Sequence, residues 1–428
     1  MRILLDVTRT LVHSKKSTPT GIDRVEHAYI RYFLSSPLAE NVFFLANSAL
    51  GRGALTAKEF YPFFRKIEDN HERDAQSETG ENCLKLLSTL AAPPSVDRLS
   101  PLSLRSGDKA AADSIWSVAN AVIRGRKRFQ AMVRDGIPTT YFHVSHLQLD
   151  DPRCFRWLEA PHIEPFFFVH DLIPIEFPEF CSPRAAERHG RRMETILRHA
   201  RGILVNSHFT EASLQRYVKQ RNLPECRVVP LANKIQTRDI PAFADFRADV
   251  PFFIHVGTIE GRKNISHILT VWRALIERLG PLKAPRLVIV GRRGWECETV
   301  VSALDRSRDL ANHVIEVSGL RDGELYGLMR KAAGLITVSI TEGFGLPPVE
   351  AARLGLPVIA SDIPAHREVL SDAATFVGIH DGEGLLREIL SIMSGEGRAN
   401  GASPPLEFSW DMHVDLALRS IDEITNRS

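Results

Sequence analysis

The sequence predicts an α/β protein of two domains, each built on a parallel sheet covered by helices. Three observations lead there. The chain has 428 residues, and single domains usually hold ~100–200, so two hydrophobic cores are expected. Through the second half, short apolar runs alternate with helical periodicity at the spacing of strand–helix–strand units. The first half opens with the same rhythm.

The runs Phe252–Gly257, Leu287–Gly291, Val314–Val317, Gly334–Val338 and Pro357–Ala360 read as strands buried on both faces, because no polar residue alternates through them. Helical patterns fall between and after them, at Ile265–Leu279, Glu296–Leu304, Asp322–Lys331 and Pro348–Leu354. In the first half, Ile3–Val7 reads as a strand, Thr8–Thr20 as a polar loop and Gly21–Leu34 as a helix. Pro165–Val169 and Gly202–Val205 are later strands, with a helix after Ser207. Lys58 to about Lys109 has weak periodicity and many polar residues, and reads as an insertion or mobile loop. The expected domains are 1–232 and 250–408, with 233–249 as linker and a closing helix in 409–428. In such sheets ligands bind beyond the C-terminal ends of the strands.

Composition sets limits. Apolar residues make up 44% and charged residues 25%, as in ordinary soluble proteins. The five cysteines, Cys83, Cys154, Cys181, Cys226 and Cys297, show no zinc or disulfide spacing, and a reducing compartment fits. MRILLDV lacks the charged and apolar regions of a secretory signal, and no apolar stretch reaches the ~20 residues of a membrane span. A cytoplasmic location is expected, with peripheral contact at the inner face of the plasma membrane as a further expectation. Residues 1–240 carry 34 Lys+Arg against 27 Asp+Glu, and the remainder 20 against 25. Two runs concentrate the basic charge: Arg184, Arg188, Arg191, Arg192, Arg198 and Arg201 with His189 and His199, and Arg124–Arg128. Each reads either as a solvated face or as a contact for anionic lipid or a lipid diphosphate. Nucleic acid is a poor fit, because the basic runs lack interleaved aromatics.

The chemistry concentrates in Thr341-Glu342-Gly343-Phe344-Gly345-Leu346-Pro347-Pro348-Val349-Glu350, which follows a strand and opens a helix. Unpaired amides and the positive end of the helix dipole make that junction a place for anions. Gly343 and Gly345 permit close backbone approach, and the prolines suit a first helical turn. Two glutamates bracket the turn.

These residues resemble the retaining glycosyltransferases of family 4, whose signature is E-x7-E and whose GT-B architecture sets two Rossmann-like domains with parallel sheets facing across a cleft. The likeness extends over V-G-T-I-E-G-R-K-N, L-V-I-V-G-R-R-G-W, S-G-L-R-D-G-E-L, G-L-P-V-I-A-S-D-I-P, E-V-L-S-D-A-A and F-S-W. In the first half it covers V-H-D-L-I-P and V-N-S-H-F-T. The resemblance implies that Glu350 holds the ribose hydroxyls of a nucleotide-sugar and that Glu342 lies near the transferred sugar. It implies donor contacts from the amides of Phe344, Gly345 and Leu346, a base pocket lined at Gly319 and Leu320, and Lys263 at the diphosphate. Thr258 stands where the family has an arginine, which leaves Arg262 as the candidate substitute. His170 matches a histidine pointing at the donor sugar, and Gly21 a glycine facing the phosphates. The tail is expected to pack back on the first domain. Retention by front-face departure and attack is expected, ahead of Glu342 as nucleophile.

No cofactor and no metal site is expected. The resemblance is strongest to bacterial mannosyltransferases of surface-polysaccharide and O-antigen assembly. It points first to GDP-mannose as donor, with UDP- and dTDP-linked sugars left open, and to a glycan or polyprenyl-diphosphate-linked acceptor. A nucleotide-sugar epimerase of similar architecture and a catalytically silent nucleotide-sugar-binding module are the rival readings.

Overall fold

The computed structural model describes residues 2–14, 19–48, 51–76, 78–94, 101–105, 115–219, 222–235, 240–396 and 407–427. Its strands in chain order are β1 (Arg2–Asp6), β2 (Val42–Ser48), β3 (Gly51–Thr56), β4 (Leu102–Leu104), β5 (Thr139–His143), β6 (Ile163–Val169), β7 (Gly202–Val205), β8 (Glu225–Val228), β9 (Phe252–Val256), β10 (Arg286–Val290), β11 (Val314–Val317), β12 (Gly334–Thr337), β13 (Val358–Ser361) and β14 (Thr375–Val377). They form two seven-stranded sheets, ordered β3-β2-β1-β5-β6-β7-β8 and β14-β13-β12-β9-β10-β11-β4. All pairings are parallel except that of β2 with β3.

The central strands are buried on both faces, which is why they read as unbroken apolar runs: Leu4 and Leu5, Phe166–Val169, and Leu287–Ile289 are all sealed from solvent. The helix Gly21–Ser35 starts at Thr20, where the Thr20 hydroxyl and the Asp23 carboxylate cap each other's backbone amides. It buries Val25, Ala28, Tyr29 and Phe33 on one face. The five cysteines are free.

Residues 58–109 differ from the expected loop. They hold the helices Ala57–Gln76 and Glu81–Ala91 and the strand β4, while 95–100 and 106–109 lie outside the described residues. The second helix is amphipathic and buries Cys83, Leu86, Leu87 and Leu90. Moreover, its later part lies against the second sheet: β4 pairs with β11, and Arg286 of β10 donates to the carbonyls of Thr89 and Leu90 at 2.6 and 3.1 Å. The helix Glu81–Ala91 and β4, within the expected first domain, thus join the second sheet, while the helix Ala57–Gln76 stays with the first. The closing helix Trp410–Asn426 packs against the helix Gly21–Ser35 and β7. There the His413 ring donates from Nδ1 to the Pro230 carbonyl (2.7 Å) and accepts from the Tyr29 hydroxyl (3.1 Å).

Beyond the end of β1 lies a fully buried carboxylate, Glu26, which accepts the Thr10 amide at 2.7 Å. Burial, with Asp6 adding its charge against the Thr10 hydrogen bond, pushes its pKa up to about 8. The folded protein thus keeps a proton that the unfolded chain releases from ~4.3 upward, so this residue costs stability progressively as pH rises from there to about 8. Glu26→Gln should be near neutral at pH 5 and stabilising at pH 8, by on the order of a few kcal/mol. Urea denaturation across that range reads the difference, and a pH-independent gap would contradict it.

Candidate active site

The two sheets meet through residues that follow their strands. His170 follows β6 and Ser207 follows β7, while Glu342 and Gly343 follow β12. The Ser207 hydroxyl donates to the Gly343 carbonyl at 2.9 Å, and a Cβ on Gly343 would stand 2.6 Å from the His170 carbonyl oxygen. Only glycine fits this approach. The Glu368 carboxylate reaches across to accept the amides of His208 and Phe209 (2.6 and 2.9 Å), at the positive end of the helix His208–Val218. The C-terminal edges of the sheets therefore face each other at this junction.

Glu342 is buried there and held from several sides. Lys263 donates to Oε1 at 2.5 Å, the Ser339 hydroxyl to Oε1 at 2.8 Å, and Arg262 to Oε2 at 2.6 Å. Arg262 also pairs with buried Glu260 at 2.7 Å. Burial would raise the Glu342 pKa, but Arg262 and Lys263 outweigh it and hold the carboxyl well below the ordinary range. Burial lowers the Lys263 pKa, with Glu342 opposing. The carboxylate is ionised at any working pH.

Gly345 adopts φ +86°, a left-handed conformation that caps the helix Leu346–Arg353, and the prolines occupy its first turn. Glu350 lies on the buried side of this helix. Its Oε1 accepts from Arg24 (3.0 Å) and from the Tyr326 hydroxyl (3.1 Å). Arg24 belongs to the first-domain helix that starts at Gly21, and it also pairs with Asp322 at 2.6 Å. Burial raises the Glu350 pKa and Arg24 opposes it. Gly21 faces Leu346 across the junction: a Cβ there would touch Leu346 Cδ1 at 3.6 Å.

The remaining candidates are placed as follows. Phe344 is buried. Thr258 turns its methyl toward Gly294, while Arg262 is the arginine at Glu342. Gly319, with φ +78°, and buried Leu320 follow β11. His170 is enclosed: its Nε2 donates to the Val144 carbonyl at 2.8 Å, and burial draws its pKa down to about 4. The structure thus gathers Glu342, Lys263 and Arg262 in one cluster and brings Glu350 and Gly21 to the same junction. The residue His170 adjoins Gly343 through its backbone.

Sequence reasoning missed several contributors. Arg24 and Tyr326 carry no local signal. Glu260 stands within the recognised T-I-E-G-R-K-N run and was open to notice. His366 is buried with Nδ1 on the Ser361 carbonyl (3.1 Å) and its unpartnered Nε2 beside Gly345. Asn82, from the segment read as a loop, donates to the Ser318 carbonyl at 3.3 Å and so buttresses the turn at Gly319 and Leu320.

Two facing parallel sheets, joined at a glycine-rich strand–helix turn between buried glutamates, define a GT-B protein. Residues 236–403 match the family model for glycosyl transferases group 1, and the chain carries that domain. Among relatives, a serotype-specific mannosyltransferase of Escherichia coli, WbdA, is 29% identical over 225 residues, which are 49% of this chain and 27% of that protein. An O-antigen chain mannosyltransferase B of Escherichia coli is 24% identical over 263 residues, covering 56% of this chain and 66% of that protein. The chain thus spans less than two thirds of either relative. Sucrose-phosphate synthase from Thermosynechococcus elongatus shares the fold, with a TM-score of 0.62 over 100% of both chains at 16% identity.

Removing the Glu342 carboxylate leaves buried Lys263 without its ion-pair partner and Arg262 with Glu260 alone. Glu342→Ala should cost about 3–5 kcal/mol in chemical denaturation. A loss below ~1 kcal/mol, the scale of a surface pair, would show that the cluster is solvated.

Proposed function

We propose that this chain is a retaining, metal-independent glycosyltransferase that moves mannose from GDP-mannose to a glycan or polyprenyl-diphosphate-linked acceptor in bacterial polysaccharide assembly. One observation carries the reading: two buried glutamates eight residues apart bracket a helix start at the junction of the sheets, one bound to two cations and the other reached from the opposite domain. The names of the mannosyltransferase relatives support the sugar and the pathway.

Transfer leaves a nucleoside diphosphate, so the site must stabilise charge growing on the departing phosphate. Lys263, Arg262 and the N-terminus of the helix Leu346–Arg353 supply positive charge without calling on a metal. Both described bonds to Glu350 fall on Oε1, so the reading assigns the ribose hydroxyls to Oε2. Glu342 holds Lys263 in place and lies beside the sugar. Departure and attack occur on one face, and closure of the domains excludes water that would hydrolyse the donor.

No helix among the described residues is long and apolar enough to cross a membrane. Peripheral contact, if the acceptor is lipid-linked, is assigned to the helix Ile115–Met132. There Arg124, Arg126 and Lys127 are exposed beside Ile123, which is 75% exposed.

A thermal-shift comparison of GDP, UDP and dTDP tests the donor. GDP at about 100 times its dissociation constant should add roughly 2.7 kcal/mol of stability, and Glu350→Gln should lose most of it. A larger shift with UDP or dTDP would reassign the base, and no shift with any of them would sink the donor site.

A further inference from the structure

The helix Ala185–His199 carries one of the basic runs, and its cations fall into two groups. The outward ones are already balanced, Arg191 by Glu187 at 2.7 Å and Arg198 by Glu159 at 3.3 Å. Arg201, just past the helix, donates to the Ile424 carbonyl at 3.1 Å.

Arg192 differs. It is half-buried, and its Nε is sealed from solvent without a hydrogen-bond partner. Besides Asp150, the charges that act on it are those of Arg188, one helical turn before it, and Arg9. Arg9 is matched by Asp23 at 2.5 Å, and Arg188 donates to the Ser182 hydroxyl at 3.4 Å, which leaves Asp150 as the one carboxylate acting on Arg192. Burial and these like charges draw the Arg192 pKa below the usual guanidinium value. A half-buried guanidinium whose Nε is sealed without a partner, with exposed Arg188 one turn away, is unfavourable unless an anion meets it.

The surroundings place this spot. His146 follows β5 and His170 follows β6, with ring centroids 5.4 Å apart, and His189 lies 5.0 Å from His146. His146 and His189 both lie within electrostatic reach of Arg192. Arg192 therefore stands at the C-terminal edge of the first sheet, the edge that faces the second domain. Among the described residues no group of His, Cys, Asp and Glu could hold a metal ion, so the histidines do not make this a metal site. Arg262 and Lys263, the cations assigned to the donor, belong to the other domain.

We infer that Arg192, with Arg188 beside it, forms an anion subsite on the first domain that takes a phosphate group of the acceptor. A planar guanidinium pairs bidentately with phosphate oxygens, and two of them one turn apart suit a multiply charged group better than a single carboxylate. This rests on the glycosyltransferase reading above, and it adds the residues that would select a phosphorylated acceptor over a neutral glycan.

Calorimetric titration of inorganic pyrophosphate into the full chain, already saturated with GDP to occupy the donor-phosphate position, tests it. The native protein should bind pyrophosphate, and Arg192→Gln should weaken binding by about tenfold or more. Arg192→Lys, which keeps the charge and loses the fork, should fall between, with GDP affinity equal in all three as the control for folding. No pyrophosphate binding by the native protein, or equal binding by Arg192→Gln, overturns the subsite. Tighter binding of glucuronate than of pyrophosphate overturns its assignment to phosphate. Failure of GDP to bind would count against the donor reading instead. The same pyrophosphate comparison, run without GDP, would then decide the subsite.

Discussion

Everything at the junction depends on a buried quartet of charges, Glu260, Glu342, Arg262 and Lys263. Two carboxylates and two cations pair there, and the hydrogen bonds among them offset much of the desolvation that burial imposes. The quartet ties the turn after β9 to the turn after β12, a tie reinforced by the Ile340 amide on the Arg262 carbonyl at 2.8 Å. With Glu342 pinned, the chain passes through Gly343 against His170, reverses at Gly345 and starts a helix. Glu350 is then carried one turn further, to Arg24. A single electrostatic knot thus sets where one glutamate sits and, through rigid backbone, where the other must be.

The domains are joined by more than a linker. Arg24 bridges to Glu350 and Asp322, Ser207 to Gly343, and Glu368 to the helix that begins at His208. The tail returns to the first sheet, and its Phe408 exchanges backbone and side-chain bonds with Asn233 (2.9 and 2.8 Å). The least expected link is the stretch that ends in β4. It leaves the first sheet, covers an edge strand of the second and contacts the turn at Gly319. Covering that edge also protects β11 from pairing with another chain. An element nominally of the first domain thereby supports the turn assigned to the nucleotide base.

Much of this was legible because it is local. Strands buried on both faces announce themselves as apolar runs, and the cap at Thr20 or the proline start at Pro347 needs only neighbouring residues. The glutamate pair belongs to the same category, since its spacing and its glycines lie within ten consecutive positions. Residues 58–109 were misread for the opposite reason. Their apolar positions pack partly against a sheet built from residues 150 or more positions away, and β4 has only three residues, too few for a periodicity to register.

Tertiary structure alone decided who meets whom. Arg24 and Glu350 are separated by 326 positions, and no pattern in either segment names the other. In the basic run, Arg191 and Arg192 are adjacent letters of the same kind. A helix turns each successive residue by about 100°, so one faces water and Glu187 while the other is turned into the fold beside Arg188 and Asp150. Local order follows from short-range sterics and periodicity, which a sequence displays directly. The site's electrostatics follow from which distant charges packing brings within a few ångströms, and that is a property of the folded chain.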